Sequence, residues 1–62
     1  MFIRLTDKDD HPILINTDLV ISIQPDGGDP FDPCTIYFNH GTYRKVQETL
    51  SEIRQKMKIL NA

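Results

Sequence analysis

Apolar residues recur at every second position through the first two-thirds of this chain and change to helical spacing near Thr49. A period of two places side chains on alternate faces of a β-strand, whereas spacings of three and four residues place them on one face of a helix. The pattern therefore predicts an α+β fold: a small antiparallel β-meander of four to five strands with one C-terminal α-helix, in a single domain over residues 1–62.

Five segments carry the strand pattern, at residues 1–6, 12–15, 19–24, 34–39 and 43–46. The alternation predicts these inward-facing side chains: Ile3, Leu5, Ile13, Ile15, Leu19, Ile21, Ile23, Cys34, Ile36 and Phe38. Residues 25–33 are rich in Gly, Pro and Asp and predict an irregular loop. Residues 39–42 predict a hairpin turn in which Gly41 is free to adopt a positive φ.

The helix has a clear start signal. Thr49 and Glu52 stand in the spacing of a capping box, in which each side chain accepts from the backbone N–H of the other residue. From there Leu50, Ile53, Met57 and Leu60 recur at helical spacing. These four residues predict the buried face of the helix.

Size limits how such a domain can be stabilised. A chain of 62 residues buries only about 60% of the surface that its unfolded form exposes. Its one cysteine excludes a disulfide within the monomer, and one cysteine with two histidines falls short of the four ligands of a structural zinc site. Self-association is the compensation that remains, so we expect a homo-oligomer.

Cysteine content, hydropathy and net charge predict the compartment of the protein and the class of its partner. A single cysteine is typical of a reducing compartment, and no apolar run approaches the ~18 residues of a membrane span. These features predict a cytoplasmic protein with no membrane insertion. The net charge of −2 disfavours a nucleic-acid partner, because nucleic-acid-binding modules usually carry a basic excess.

Three short blocks of the chain resemble the small flagellar proteins of the FlbD/SwrD type. They are residues 2–6 (FIRLT), residues 13–16 (ILIN) with Asp18, Leu19, Val20 and Ile23 after them, and residues 46–49 (VQET) with Glu52 and Ile53. The loop at residues 26–33 is longer and richer in proline than the usual connection in that family, and an extra residue lies between Tyr43 and Val46. The resemblance implies an accessory protein of bacterial flagellar motility, and it supplies no catalytic residues.

Histidine and cysteine are the candidate catalytic residues. General acid–base catalysis needs a positioned partner, but His11 and His40 both adjoin predicted turns, where exposed side chains are usual. Cys34 falls on the inward face of its strand, where a packed thiol is the expected state. We therefore predict no catalytic residues; an enzyme would need His40, Cys34 and a loop aspartate to converge.

The acidic loop raises the question of a metal site. Asp26, Asp29 and Asp32 recur at every third position, whereas calcium-binding EF-hand loops place their ligands at every second position and end with a bidentate glutamate. A solvated acidic loop fits this pattern better, so we predict no metal and no cofactor.

The outward faces of the predicted strands carry the strongest indication of function. A helix about 10 Å across cannot cover four or five strands spaced ~4.8 Å apart. Apolar side chains left outside mark an interface if they cluster; the candidates are Phe2, Leu14, Val20 and Tyr37. We therefore expect a non-enzymatic protein-interaction module that self-associates through this face or through an edge strand.

A nucleic-acid-binding accessory protein, such as one carried by a phage or mobile element, is the alternative. It would use a strip of basic and aromatic side chains for phosphate contacts and base stacking. The candidates are Arg4, Tyr37, Tyr43, Arg44 and Lys45.

Overall fold

The structure is a computed structural model that describes the backbone of residues 1–60 and the side chains of residues 1–57. It contains, in chain order, β1 (Phe2–Thr6), β2 (Pro12–Asn16), a 3₁₀ turn (Thr17–Leu19), β3 (Val20–Pro25), β4 (Cys34–Phe38), β5 (Tyr43–Lys45) and α1 (Leu50–Leu60). Five antiparallel strands and one C-terminal helix confirm the predicted α+β class.

The strands are divided between two sheets. β1 pairs with β2, and β3, β4 and β5 form a three-stranded sheet in that order. The division falls at the 3₁₀ turn, where the side chain of Asn16 accepts a hydrogen bond from the backbone N–H of Asp18 at 3.1 Å. This cap turns the chain between β2 and β3, so the two strands do not pair.

A short segment after β5 connects the two sheets. Asp7 and Val46 form an isolated antiparallel bridge. Beside it, the N–H of Gln47 donates to the carbonyl of Thr6 at 2.8 Å, and the N–H of Thr6 donates to Oε1 of Glu48 at 2.9 Å. The end of β1 is therefore fixed to the chain just before the helix.

The core lies between the two sheets and the helix. Its buried apolar side chains are Ile3, Leu5, Ile15, Cys34, Ile36, Phe38, Val46 and Ile53. The predicted inward-facing residues of β1 and β4 are confirmed, and they supply five of these side chains. The alternation of β4 is not strict, because Thr35, which it predicts on the outward face, is also buried. Ile13 and Ile23 are partly buried against the same core.

The prediction for β3 is wrong in its first half. Val20 pairs with Phe38 while Ser22 pairs with Tyr37, so a β-bulge adds one residue between them. An extra residue reverses the alternation of a strand on one side of it. Val20 therefore packs against the core, and Ile21 is 67% exposed. Leu19 lies before the strand in the 3₁₀ turn and is also exposed.

The start of the helix is confirmed in detail. The N–H of Thr49 donates to Oε1 of Glu52 at 3.0 Å, and the N–H of Glu52 donates to Oγ1 of Thr49 at 3.3 Å. Ile53 is fully buried, with Leu50 and Met57 partly buried beside it. The side chain of Leu60, the fourth member of the predicted face, lies outside the described residues.

Candidate functional site

A shallow groove of about 400 Å³ runs between the β1–β2 hairpin and the turn that joins β4 to β5. Phe2, Leu14 and Tyr43 line it, and each of them is more than half exposed. Leu19 and the buried ring of Phe38 complete its apolar surface. We call this feature the aromatic groove.

Strand register explains why these side chains meet. Phe2 lies opposite Asn16 and Arg4 lies opposite Leu14 in the β1–β2 hairpin. Opposed residues of an antiparallel pair project to the same face, so Phe2 and Leu14 share the face away from the core. Tyr43 reaches the groove from β5.

The four predicted interface residues do not all lie together. Phe2 and Leu14 line the aromatic groove. Tyr37 adjoins it through Tyr43, since the two rings form a cross-strand pair with centroids 6.2 Å apart. Val20 is the exception, because the β-bulge turns its side chain to the core.

The predicted basic and aromatic strip is also divided. Tyr43 and Arg44 both line the aromatic groove. Lys45 does not, and its ammonium lies 3.5 Å from Oδ2 of Asp26 and donates to Oγ1 of Thr35 at 3.2 Å. Arg4 shares the face of Leu14. Among residues 1–57, no carboxylate forms an ion pair with Arg4 or Arg44.

The aromatic groove has a positive character. Of the described residues that line it, Arg44 is cationic, His40 contributes an imidazole, and none is acidic. His40 stacks on Phe38 with ring centroids 5.9 Å apart, and its Nε2 lies 2.7 Å from Oγ1 of Thr42. The groove thus offers apolar and aromatic contacts beside a cation, which suits a ligand with an apolar side chain flanked by negative charge.

The turn next to Arg44 is held by Asp7. Its Oδ1 accepts from the N–H groups of Asp9 and His11, both at 2.9 Å. The backbone hydrogen bond from His11 is the main reason that the pKa of Asp7 lies below its usual value; burial opposes this, and the Asp9 amide and the charges of His11 and Arg44 reinforce it. His11 itself is exposed.

The hypothetical catalytic set does not assemble. Cys34 is fully buried at the start of β4, whereas His40 lies in the turn beyond the end of that strand. A five-residue strand spans about 16 Å, so the thiol and the imidazole are far outside hydrogen-bond reach. Burial, and secondarily the charge of Asp26, raises the pKa of the Cys34 thiol.

The loop aspartates bind the loop itself. Asp29 Oδ1 accepts from the N–H of Phe31 at 2.8 Å, and Asp32 Oδ2 accepts from the N–H of Asp29 at 3.3 Å. Asp26 accepts from the hydroxyl of Thr35. Within the described part of the chain, no three His, Cys, Asp or Glu side chains are grouped so that they could hold a metal ion.

Sequence reasoning missed Phe31, whose side chain is 85% exposed, more than that of any other large hydrophobic residue described. It lies in the loop and, together with Leu50 and Met57 of α1, lines a second groove. The signal was present in the sequence: Phe31 is an aromatic residue within a Pro- and Asp-rich loop, where no strand or helix pattern assigns it to a core.

A search for membrane-spanning helices and three comparisons with known proteins complete the description of this chain. No helix within residues 1–60 is long and apolar enough to cross a membrane. No protein-family model, curated protein or solved structure matches this chain. The grounds for a function are therefore the groove, the loop and their chemistry.

Proposed function

We propose that this protein is a small, non-enzymatic interaction module that self-associates through the aromatic groove. The observation that carries the proposal is the convergence of Phe2, Leu14 and Tyr43, from both sheets, on one groove while each stays more than half exposed. Single exposed apolar residues are common on protein surfaces, but clustered ones mark binding sites.

Size supports self-association as the form of binding. A domain with eight buried apolar residues among those described has a small core, and small domains gain stability when they oligomerise. Tyr43 and Arg44 belong to the residue types that contribute most at interfaces.

We place this module in the cytoplasm, in keeping with an unpaired, buried thiol at Cys34. The resemblance to the FlbD/SwrD type suggests a role as an accessory protein of flagellar motility.

Leu14→Asp tests the proposal, with Ile21→Asp as its matched control. Both side chains are 67% exposed, but Leu14 lines the groove and Ile21 lies on β3 outside it. In sedimentation-equilibrium experiments up to millimolar concentration, we expect the wild type and Ile21→Asp to associate alike. Leu14→Asp should weaken association at least about tenfold, as truncation of an interface hot spot does. A wild type that stays monomeric throughout would refute the proposal.

Binding of single-stranded nucleic acid is the second candidate. The adjacency of Tyr43 and Arg44 in the groove favours it, because bases stack on aromatic rings and phosphates pair with arginine. We rank this function second for two reasons. Lys45 is already paired with Asp26, and the net charge of −2 disfavours contact with phosphates. Fluorescence anisotropy of a labelled oligonucleotide at low salt tests it: salt-sensitive binding lost in Arg44→Glu supports this function, and no binding rejects it.

A further inference from the structure

We propose that the ligand of the aromatic groove is the acidic loop of a second copy of this chain, with Phe31 as the inserted side chain. This inference rests on the proposed self-association and names the segment that performs it. Two copies exchange loops reciprocally, so that each groove receives the Phe31 of its partner.

Phe31 has the form of an interface anchor. Its side chain is 85% exposed, and the loop around it is fixed by its own hydrogen bonds. The Phe31 N–H donates to Asp29 Oδ1 at 2.8 Å, the Asp32 N–H donates to the Asp29 carbonyl at 3.0 Å, and the Asp26 N–H donates to the Pro33 carbonyl at 2.9 Å. A preorganised loop loses little conformational entropy when it binds.

Charge complementarity assigns this loop to the groove. Residues 26–33 contain three aspartates and no basic residue. Asp26 is paired with Lys45, but Asp29 and Asp32 flank Phe31 on both sides. The groove presents apolar surface with Arg44 and His40, and none of its described lining residues is acidic. An aromatic side chain between two carboxylates matches that surface in apolar character and in the sign of its charge.

Topology makes the contact intermolecular. The loop precedes Cys34 at one end of β4, and the groove lies at the other end, around Phe38 and Tyr43. About 16 Å of strand separates them, and the hydrogen bond between Asp26 and Pro33 holds the loop at its base. A chain therefore cannot fill its own groove. Two copies that lie side by side in opposite directions bring each loop to the groove of the other.

Interface area favours two reciprocal contacts over one. A specific interface buries at least about 1,200 Å² in total, or roughly 600 Å² per copy, which is about a seventh of the 4394 Å² surface of this chain. One inserted phenylalanine supplies about 150–250 Å². In a dimer with two-fold symmetry the contact between loop and groove occurs twice, which doubles the buried area. Such an isologous dimer leaves no loop or groove free to bind a third copy.

The decisive experiment combines Phe31→Ser with Leu14→Asp. Both residues are exposed, so both variants should keep the wild-type circular dichroism spectrum. They should also keep the wild-type urea midpoint at dilutions where all three proteins are monomeric, because dimerisation itself raises apparent stability. Each alone should weaken the dimer at least about tenfold, while Ile21→Asp should leave it unchanged. Mixing the two variants restores one intact contact, in which the loop of Leu14→Asp meets the groove of Phe31→Ser. The mixed dimer should therefore form more tightly than either variant dimer, by the logic of a double-mutant cycle.

Two results separate this inference from the proposed function. A wild-type dimer that Leu14→Asp weakens but Phe31→Ser does not would overturn the loop as ligand and leave self-association through the groove intact. A mixture no tighter than the separate variants would also overturn it, because independent effects simply add. A monomeric wild type would overturn both proposals.

Discussion

At the scale of single residues, burial decides the chemistry of Cys34. Its side chain is fully buried, and its Sγ lies 4.0 Å from the Asp32 carbonyl as a weak donor. The thiolate is the reactive form of cysteine, and burial together with the nearby Asp26 raises the pKa of this thiol. Cys34 therefore behaves as a small apolar core residue, despite its reactive side chain.

This state predicts slow alkylation of Cys34. At pH 8, iodoacetamide should modify the native protein at least about a hundredfold more slowly than the chain unfolded in urea, because modification requires the core to open. Mass spectrometry of timed samples measures both rates, and the unfolded chain serves as the control for intrinsic reactivity. Native modification at the unfolded rate would mean that Cys34 is accessible.

At the scale of elements, the start of α1 depends on Thr49. Its hydroxyl accepts from the N–H of Glu52, and its own N–H donates to the Glu52 carboxylate. The backbone and side-chain hydrogen bonds from Thr49 are the main reason that the pKa of Glu52 is lowered. The helix thus starts in a closed pair of bonds that satisfies two otherwise free N–H groups.

Thr49→Ala should lower the free energy of unfolding by about 1 kcal/mol, the usual cost of removing an N-cap side chain. Ser51→Ala is the matched control, because it deletes a hydroxyl from the exposed first turn and should change stability little. Urea denaturation measures both variants. The pKa of Glu52, followed by NMR titration, should rise in Thr49→Ala and stay unchanged in Ser51→Ala. Equal effects of the two substitutions would refute a capping role.

The elements also show which features a sequence can predict. The cap at Thr49, the alternation of β1 and β4 and the positive φ of Gly41 are local, so a few neighbouring residues determine them. The bulge between Val20 and Ser22 arises from pairing with β4 and is not marked by a glycine, so alternation alone placed Val20 outside. The groove joins Leu14 to Tyr43, 29 positions apart in the chain, and only the fold brings them together.

At the scale of the whole molecule, residues 46–48 unite the two sheets. Val46 packs in the core and bridges to Asp7, and Gln47 and Glu48 hydrogen-bond the two backbone groups of Thr6. The same segment leads directly into α1, whose Ile53 is fully buried in the shared core. Both walls of the aromatic groove therefore depend on this junction for their relative position.

Glu48→Ala should loosen the junction, because it leaves the partly buried N–H of Thr6 without its acceptor. An unsatisfied buried donor costs about 1–3 kcal/mol of the free energy of unfolding. Glu48→Gln is the control: its amide oxygen can still accept from Thr6, so its loss should be smaller. Hydrogen exchange of the Thr6 amide, measured by NMR, should accelerate in the alanine variant only. If both variants matched the wild type in stability and in exchange at Thr6, the two sheets would have to be held together by the core and the Gln47 hydrogen bonds, without help from Glu48.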